Sequence, residues 1–568
     1  KTKGNTNVSW ELEIPDNILT VQYKIIAKAG NFSDGEQNVL PVLSNRMLVT
    51  ETLPMWIRSD QTKTFTLDKL KNNTSKTLKH HKLTLEMTSN PAWYAVQALP
   101  YLMEYPYDCS EQIFSRYYAN TLASHIANSN PRIQEVFNQW KSSDALLSNL
   151  EKNQELKSLL IQETPWLRDA QSETEQKKRI ALLFDLNKMK NEQQSALRKL
   201  QQMQYGSGGF PWFQGGRENR FITQHIAIGF GHLQKLGVTS LEQNTTTMLQ
   251  NAIEFLDREF VKEYDELKRY CAKNKIDINK DHLSSTQIHY LYMRSFFKNS
   301  TRPKNTNEAW NYYVGQSKKY WLDKSLYSQG LLALVTHRNE DRTTATKIIK
   351  SLDEKSITSD ALGMYWKSNT AGWFWYQAPI ETQSLMIEVF SEIEAEPKRT
   401  ETVDNLKIWL LKNKQTNRWK TTKATSDAVY ALLLQGSDWL SITDMVDIVL
   451  GDQKIDPSTI EDIKVEAGTG YFKTSWNNTE IEPKMATAKI SKKGKGIAWG
   501  ALYWQYFEDL DKITSAETPL SLKKKIFLKK NTDTGERITE ITKDTQLELG
   551  DLVRVRIELR SDRAMEFI

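Results

Sequence analysis

The chain is expected to be a multidomain α and β protein in which strand-rich segments frame one long helical segment. Three observations predict this. Short, partly alternating apolar runs fill the part from about Val8 to Met87, the signature of half-buried strands. Helical spacing of apolar residues takes over from about Pro91 to Leu434, and alternating runs return from about Val446. At 568 residues the chain is too long for one ordinary domain; ~100 to 200 residues per domain divides it into about three to five.

In the first segment the runs Leu19–Ala27, Arg46–Thr50, Thr64–Leu67 and His81–Met87 are separated by polar turns. Their β-branched and aromatic residues suit a pleated, half-buried surface, so sandwich-like modules are expected. In the middle, Lys/Glu/Gln-rich stretches such as Thr174–Met203 carry apolar residues at three- and four-residue intervals, which places them on one face of a helix. A weak repeat runs through this block: an aromatic or Gly-rich loop, then a helix that opens with Thr or Ser. Gly208–Trp212 leads to Ile222–Ala227, Gly372–Trp375 leads to Ile380–Leu385, and Arg418–Trp419 leads to Thr425–Tyr430. Ser284–Ile288 and Ser325–Gln329 look like further copies without the full loop. Repeated helix pairs of this kind can close into an α/α toroid; the plainer reading is that these helices merely share N-capping hydroxyls. The last segment offers strands at Ile463–Val465, Thr487–Ile490, Ala501–Phe507 and Leu552–Leu559.

Composition narrows the function classes. A hydrophobic content of 39% with 17 Trp, 22 Tyr and 19 Phe supports packed cores and excludes a disordered chain. A net charge of +6, spread thinly over mixed signs, argues against a nucleic-acid partner. Basic runs such as Lys523–Lys525 and Lys529–Lys530 read as solvated strand edges. Two cysteines, Cys109 and Cys271, make neither a disulfide framework nor a Cys-rich zinc site, and Cys271 reads as an unpaired structural thiol. The eight histidines show no His-Glu-x-x-His spacing, and no phosphate-binding or dinucleotide fingerprint occurs, so neither metal nor cofactor is implied. No apolar run reaches the ~18 residues of a membrane span.

One short run carries chemistry. In Cys109-Ser110-Glu111-Gln112 a thiol and a glutamine amide stand three positions apart, a spacing at which they can condense into an internal thioester. Cysteine supplies a leaving group far more acidic than water or an alcohol, and glutamine supplies the acyl carbon. Such a bond must be kept from water, and Tyr105, Tyr107, Phe114, Tyr117 and Tyr118 crowd the segment. The plainer reading is a small buried cysteine beside a helix start.

The longer run Tyr105-Pro106-Tyr107-Asp108-Cys109-Ser110-Glu111-Gln112 closely resembles the thioester motif of the alpha-2-macroglobulin and complement superfamily, in particular its bacterial members. One position departs: the family usually has glycine directly before the cysteine, where this chain has Asp108, a residue that tolerates left-handed or tight-turn backbone. The resemblance extends over essentially the whole chain. Val49–Pro54 resembles the family's entry to a CUB domain and Gly496–Trp504 a late CUB strand.

What the resemblance implies is an α/α-toroid thioester domain inserted in a β-sandwich CUB domain, flanked by macroglobulin-like β-sandwich segments. The order of parts would be residues 1–50, the end of a macroglobulin-like domain; 51–92, the first part of the CUB domain; 93–436, the thioester domain; 437–514, the rest of the CUB domain; and 515–568, the start of a last macroglobulin-like domain. It implies a bond between Cys109 and Gln112, with Tyr105, Pro106, Tyr107, Asp108 and Glu111 as supporting motif residues. It implies a single-turnover covalent trap for attacking proteases, not an enzyme, in which a protease lysine takes the acyl group. In some complement proteins a toroid histidine attacks the thioester first; His225 and His282 are the candidates for that position, and amine reactivity without a histidine relay is expected. The polar start at Lys1–Asn7 and the alternating run that stops at Phe567–Ile568 read as the ends of a piece of a larger protein. Its parent is expected at a bacterial periplasm or cell surface, with any signal or membrane anchor outside this piece.

Two other classes stay open on the residues alone. A helical toroid rich in aromatics and carboxylates could be a carbohydrate- or terpenoid-active enzyme, with a thiol hydrolase built on Cys109 as a weaker variant. A thioester spoiled by Asp108 would leave an adhesion or scaffold module.

Overall fold

The computed structural model describes residues 7–14, 18, 20–42, 45–129, 131–140, 186–238, 241–300, 302–360, 362–414, 418–434, 446–460, 463–514, 520–533 and 535–561. Leu19, the part of the expected Thr174–Met203 helix that precedes Leu186, and Phe567–Ile568 lie outside them.

The chain opens with the antiparallel pair β1 (Thr20–Ala29) and β2 (Phe32–Pro41), joined where Gly30 takes φ +60°. Next come β3 (Arg46–Ile57), β4 (Thr62–Thr66), the single turn α1 (Asp68–Lys71) and β5 (Lys79–Thr88). Helices follow: α2 (Trp93–Met103), α3 (Ser110–Ser129), α4 (Pro131–Trp140), α5 (Leu186–Met203), α6 (Arg220–Lys235), α7 (Gln243–Asn274), α8 (Ser285–Ser295), α9 (Thr306–Tyr320), α10 (Leu326–Arg338) and α11 (Arg342–Glu354). A small hairpin, β6 (Ile357–Ser359) and β7 (Gly363–Tyr365), precedes α12 (Pro379–Ile393), α13 (Lys398–Lys412) and α14 (Thr422–Leu433). Strands then return as β8 (Asp447–Leu450), β9 (Gln453–Ile455), β10 (Phe472–Asn477), β11 (Thr487–Ser491), β12 (Ala498–Asp509), β13 (Leu520–Thr532), β14 (Gly535–Glu540) and β15 (Leu552–Ser561). No described helix is long and apolar enough to cross a membrane.

The chain forms two compact units. One comprises Lys1–Val49, Ser75–Lys79 and Tyr506–Ile568; the other comprises Thr50–Thr74 and His80–Gln505. The larger unit holds two antiparallel-paired four-stranded sheets, in the orders β10-β5-β12-β3 and β4-β11-β8-β9. Each combines strands from before and after the helices: Phe472 of β10 faces Met87 of β5, and Thr487 of β11 faces Thr66 of β4. The helical segment is therefore an excursion between strands that must pair to complete one β module.

Within that excursion α3, α6, α8, α10, α12 and α14 touch in that order, and α14 closes back onto α3. α2, α5, α7, α9, α11 and α13 pack around this ring. The five copies of the expected loop-and-helix repeat are the ring helices α6, α8, α10, α12 and α14; side-chain caps explain the openings of four, while α12 opens on Ala378 and Pro379 without one. Asn219 accepts from the Ile222 N–H, Ser325 from Ser328 and Thr421 from Ala424, while Ser284 and Gln287 form a capping box. Two copies share more than a cap. The Phe210 N–H donates to Thr223 Oγ1 at 3.0 Å and the Trp419 N–H to Thr425 Oγ1 at 3.1 Å, tying each aromatic loop to the helix it introduces. One continuous core of Leu, Ile, Val, Phe, Trp and Tyr side chains fills the helical segment. α6 and α3 approach closely because residue 229 is glycine; a Cβ there would lie 2.1 Å from the Phe114 ring.

In the smaller unit β13 is the central strand between β14 and β15. Lys523–Lys525 and Lys530 are exposed as expected, but they lie on that central strand and not on an edge. Lys525 and Lys529 instead pair across to Glu540 and Glu536 of β14. Ile463–Val465 is not a strand: the Ile463 N–H turns back to the Ile460 carbonyl, and β10 is the strand that pairs with β5. β2 was not legible because Ser33–Asn38 is wholly polar, and it exists by pairing with β1.

Candidate functional site

Cys109 ends the loop that follows α2 and stands at the N-terminus of α3, so Gln112 falls in the first turn of that helix. The Cys109 carbonyl accepts the Ile113 N–H at 2.9 Å and so starts the helical ladder. Its side chain is 6% exposed. Burial pushes the thiol pKa up, and the backbone N–H groups of Gln112 and Glu111 pull it down. A sulfur in this position can carry developing negative charge against unpaired helix N–H groups and the positive end of the helix dipole. Gln112 is half-buried, and its amide makes no hydrogen bond among the described residues.

Ser110, Glu111 and Asp108 hold this turn in place. Ser110 donates its N–H to the Trp212 carbonyl at 3.0 Å and its hydroxyl to the Pro211 carbonyl at 2.6 Å. The glycine-rich loop before α6 is thereby fastened against the cysteine. That loop turns at Gly208, where φ is +97° and a Cβ would lie 2.1 Å from the Asn251 carbonyl oxygen; only glycine fits. Glu111 is turned inward. Its carboxylate accepts from Ser115 Oγ at 3.0 Å and from Thr422 Oγ1 of α14 at 2.9 Å. Burial raises its pKa, opposed by these two hydroxyls and by the charge of Lys423.

Asp108 has an ordinary negative φ, so the position before the cysteine does not use the left-handed backbone that would favour glycine. Its carboxylate pairs with Arg116 and, at 2.9 Å, with Lys199 of α5. The Arg116 and then the Lys199 hydrogen bonds hold its pKa below the usual carboxylate range. Arg116 also donates to the Tyr105 carbonyl at 2.9 Å, which folds the loop Tyr105–Asp108 back onto α3.

The aromatic residues divide differently from a simple roof over the bond. Phe114, Tyr117 and Tyr118 are 2–3% exposed and belong to the core beneath α3. Tyr105 is half-buried between Tyr101 and Tyr107, Pro106 is exposed, and Tyr107 is 65% exposed. The motif tyrosines are not what holds the cysteine turn; beside the Glu111–Thr422 bond, it is held by the tether from the Pro211–Trp212 loop. That tether carried no signal in the motif, since backbone carbonyls accept whatever residue presents them.

The two candidate histidines separate. His225 is buried in the ring, with Phe114 and Phe221 as ring neighbours and Nε2 unpartnered among the described residues. Burial, then the charge of Lys423, holds its pKa down at about 4, so it is neutral near pH 7. His282 contacts Cys271 Sγ at 3.8 Å and the Asp277 carbonyl at 3.1 Å, and its N–H donates to Gln316. None of these partners belongs to the Cys109 turn, and Cys271 is a buried free thiol as expected.

A polar interior, not anticipated from sequence, lies inside the helix ring. Two adjoining cavities, of about 30 and 20 Å³, share His225, His232 and Asp427. Glu388 accepts from Tyr292 at 2.5 Å, Tyr430 at 2.7 Å and Arg338 at 2.6 Å. Burial pushes Glu388 up, but the charges of Arg338 and Lys235 overcome this and hold it at about 2. Lys423 pairs with Asp427 at 2.7 Å.

No family model matches the chain, and no curated protein matches it. Solved structures of bacterial alpha-2-macroglobulins do. Native alpha-2-macroglobulin from Escherichia coli, spanning domain MG7 to the C-terminus, matches 96% of this chain over 70% of its own length, at 15% identity and TM-score 0.35. The native E. coli protein seen by electron microscopy matches 95% of this chain at 15% identity and TM-score 0.36; the chain spans 28% of its length. E. coli alpha-2-macroglobulin activated by porcine elastase matches 93% of this chain over 38% of its own length, at 15% identity and TM-score 0.42. The family named in these matches is the one that the run Tyr105–Gln112 resembles.

Proposed function

We propose that Cys109 and Gln112 close an internal thioester and that this chain is the thioester-bearing part of a bacterial alpha-2-macroglobulin-like inhibitor, which captures attacking proteases covalently. One observation carries the reading: a buried cysteine and an unengaged glutamine amide share the opening turn of one helix. In ring closure Cys109 Sγ bonds to Gln112 Cδ and ammonia leaves. A protease lysine then attacks Cδ, an amide forms to Gln112, the carbon–sulfur bond breaks, and the proton released by the amine returns a thiol to Cys109. The N-terminus of α3 favours this step by stabilising the departing thiolate. His225 faces the ring interior, which supports direct attack by amines without a histidine relay. The closed helix ring between paired strands fits an α/α-toroid thioester domain at residues 93–436 within a CUB domain at 51–92 and 437–514. Macroglobulin-like segments would occupy 1–50 and 515–568, and the parent would act in the periplasm or at the cell surface.

The carboxylates inside the ring do not favour a sugar- or prenyl-processing enzyme. A cavity of about 30 Å³ holds about two waters and no sugar ring, and Glu388 is saturated by hydrogen bonds from Tyr292, Tyr430 and Arg338.

Intact mass and thiol titration test the proposal. Fresh protein should be lighter than calculated by one ammonia and, when denatured, should titrate one of its two cysteines. After methylamine both should titrate and one adduct should map to Gln112. The full calculated mass with both thiols free from the start would overturn it.

A further inference from the structure

The groups around Glu111 extend the reading above, on which this inference rests. Thr422, which grips the Glu111 carboxylate, is followed in α14 by Lys423, and Lys423 pairs with Asp427 one turn on. Asp427 lines both cavities of the ring interior; the smaller also touches Ser115, the other hydroxyl that grips Glu111, and the larger touches Glu381 of α12. Three buried side-chain atoms at these cavities, Tyr118 Oη, His225 Nε2 and Ser384 Oγ, lack a protein partner among the described residues. Each cavity has room for water to meet that demand. A polar interior thus reaches from the middle of the ring to Ser115, the hydroxyl that holds Glu111.

We propose that the Lys423–Asp427 pair is a positioning element for the thioester, acting through Glu111 to set how readily Cys109 leaves Gln112. Ionised Glu111 accepts one hydroxyl on each oxygen and clamps α3 to α14. Its charge, in the same helical turn, opposes negative charge on the Cys109 sulfur. Lys423 favours that ionised state and Asp427 disfavours it. The other titratable groups facing this cluster are Tyr101 of α2, Tyr118 of α3, His225 and His232 of α6, His289 of α8, Tyr327 of α10 and Glu381 of α12. Protonating Glu111 therefore removes a restraint on thiolate departure and loosens the clamp together.

Thiol release by hydroxylamine, followed across pH at constant free nucleophile, tests this in the full chain. The wild-type rate should step up severalfold as pH falls through the Glu111 pKa. Lys423→Met should move the step to higher pH, Asp427→Asn to lower pH, and Lys423→Arg should restore its place; Glu111→Gln should abolish it. Opposed shifts are not the signature of a merely structural pair. An unmoved step in Lys423→Met, or shifts of the same sign in Lys423→Met and Asp427→Asn, would overturn the inference; if Lys423→Met does not fold, the Asp427→Asn and Lys423→Arg arms decide it. A wild-type chain with no mass deficit overturns the thioester reading itself, so the two failures are distinct.

Discussion

Glu111 and Thr422, 311 positions apart in sequence, are joined by a hydrogen bond of 2.9 Å that ties the first ring helix to the last. It closes the ring at the turn that holds Cys109 and Gln112, so the integrity of the helix ring and the geometry of that turn are one property.

Replacing Thr422 with Val keeps the side-chain shape and removes the donor. A buried carboxylate oxygen left without its partner costs about 1–3 kcal/mol, so Thr422→Val should lower the stability of the helical segment by that amount. Denaturant unfolding measures it, and faster loss of the mass deficit on storage should accompany it.

Placing glycine at 108 should bring no benefit. Asp108 does not use a left-handed backbone, so Asp108→Gly adds chain entropy and deletes the contacts to Arg116 and Lys199. These contacts are largely exposed, so the loss should be about 0.5–1 kcal/mol. The fraction of chains with the thioester, read by mass, should not rise.

His225→Gln should leave the rate of methylamine incorporation within about twofold of wild type, because the imidazole lines the ring interior and its ring neighbours are Phe114 and Phe221. A fall of tenfold or more would show that the histidine takes part in transfer after all.

Stability should fall on mild acidification. His225 and His232 are held at about 4 by burial, against the ordinary 6.5 of an unfolded chain. Between those values the unfolded state binds more protons, so stability is full above pH 6.5 and is lost as pH falls toward 4, by up to about 3 kcal/mol per histidine. Glu388, held at about 2, loses its contribution only below its ordinary 4.5. Denaturant midpoints at pH 7, 6 and 5 should therefore decline stepwise, with a shallower decline in His225→Gln.

Much of this was legible in the residues. The strands β1, β3, β4, β5, β11, β12 and β15 follow from alternation, and the ring helices α8, α10 and α14 from capping hydroxyls set before small and aliphatic residues. The motif located the cysteine turn because a thioester needs its two partners within one turn, a local requirement that a local sequence can carry. Other features depend on partners far away in the chain. Thr422 reads as an ordinary helix opener, Lys423 and Asp427 as a surface pair at i and i+4, and Glu388 as one carboxylate in an apolar helix. Closing the ring turns all of them inward, where burial makes each charge require a partner and joins them to Glu111. Sequence by itself determined which residues are candidates for the chemistry; the tertiary structure decided what surrounds them, because desolvation and pairing are set by distances that no spacing along the chain encodes.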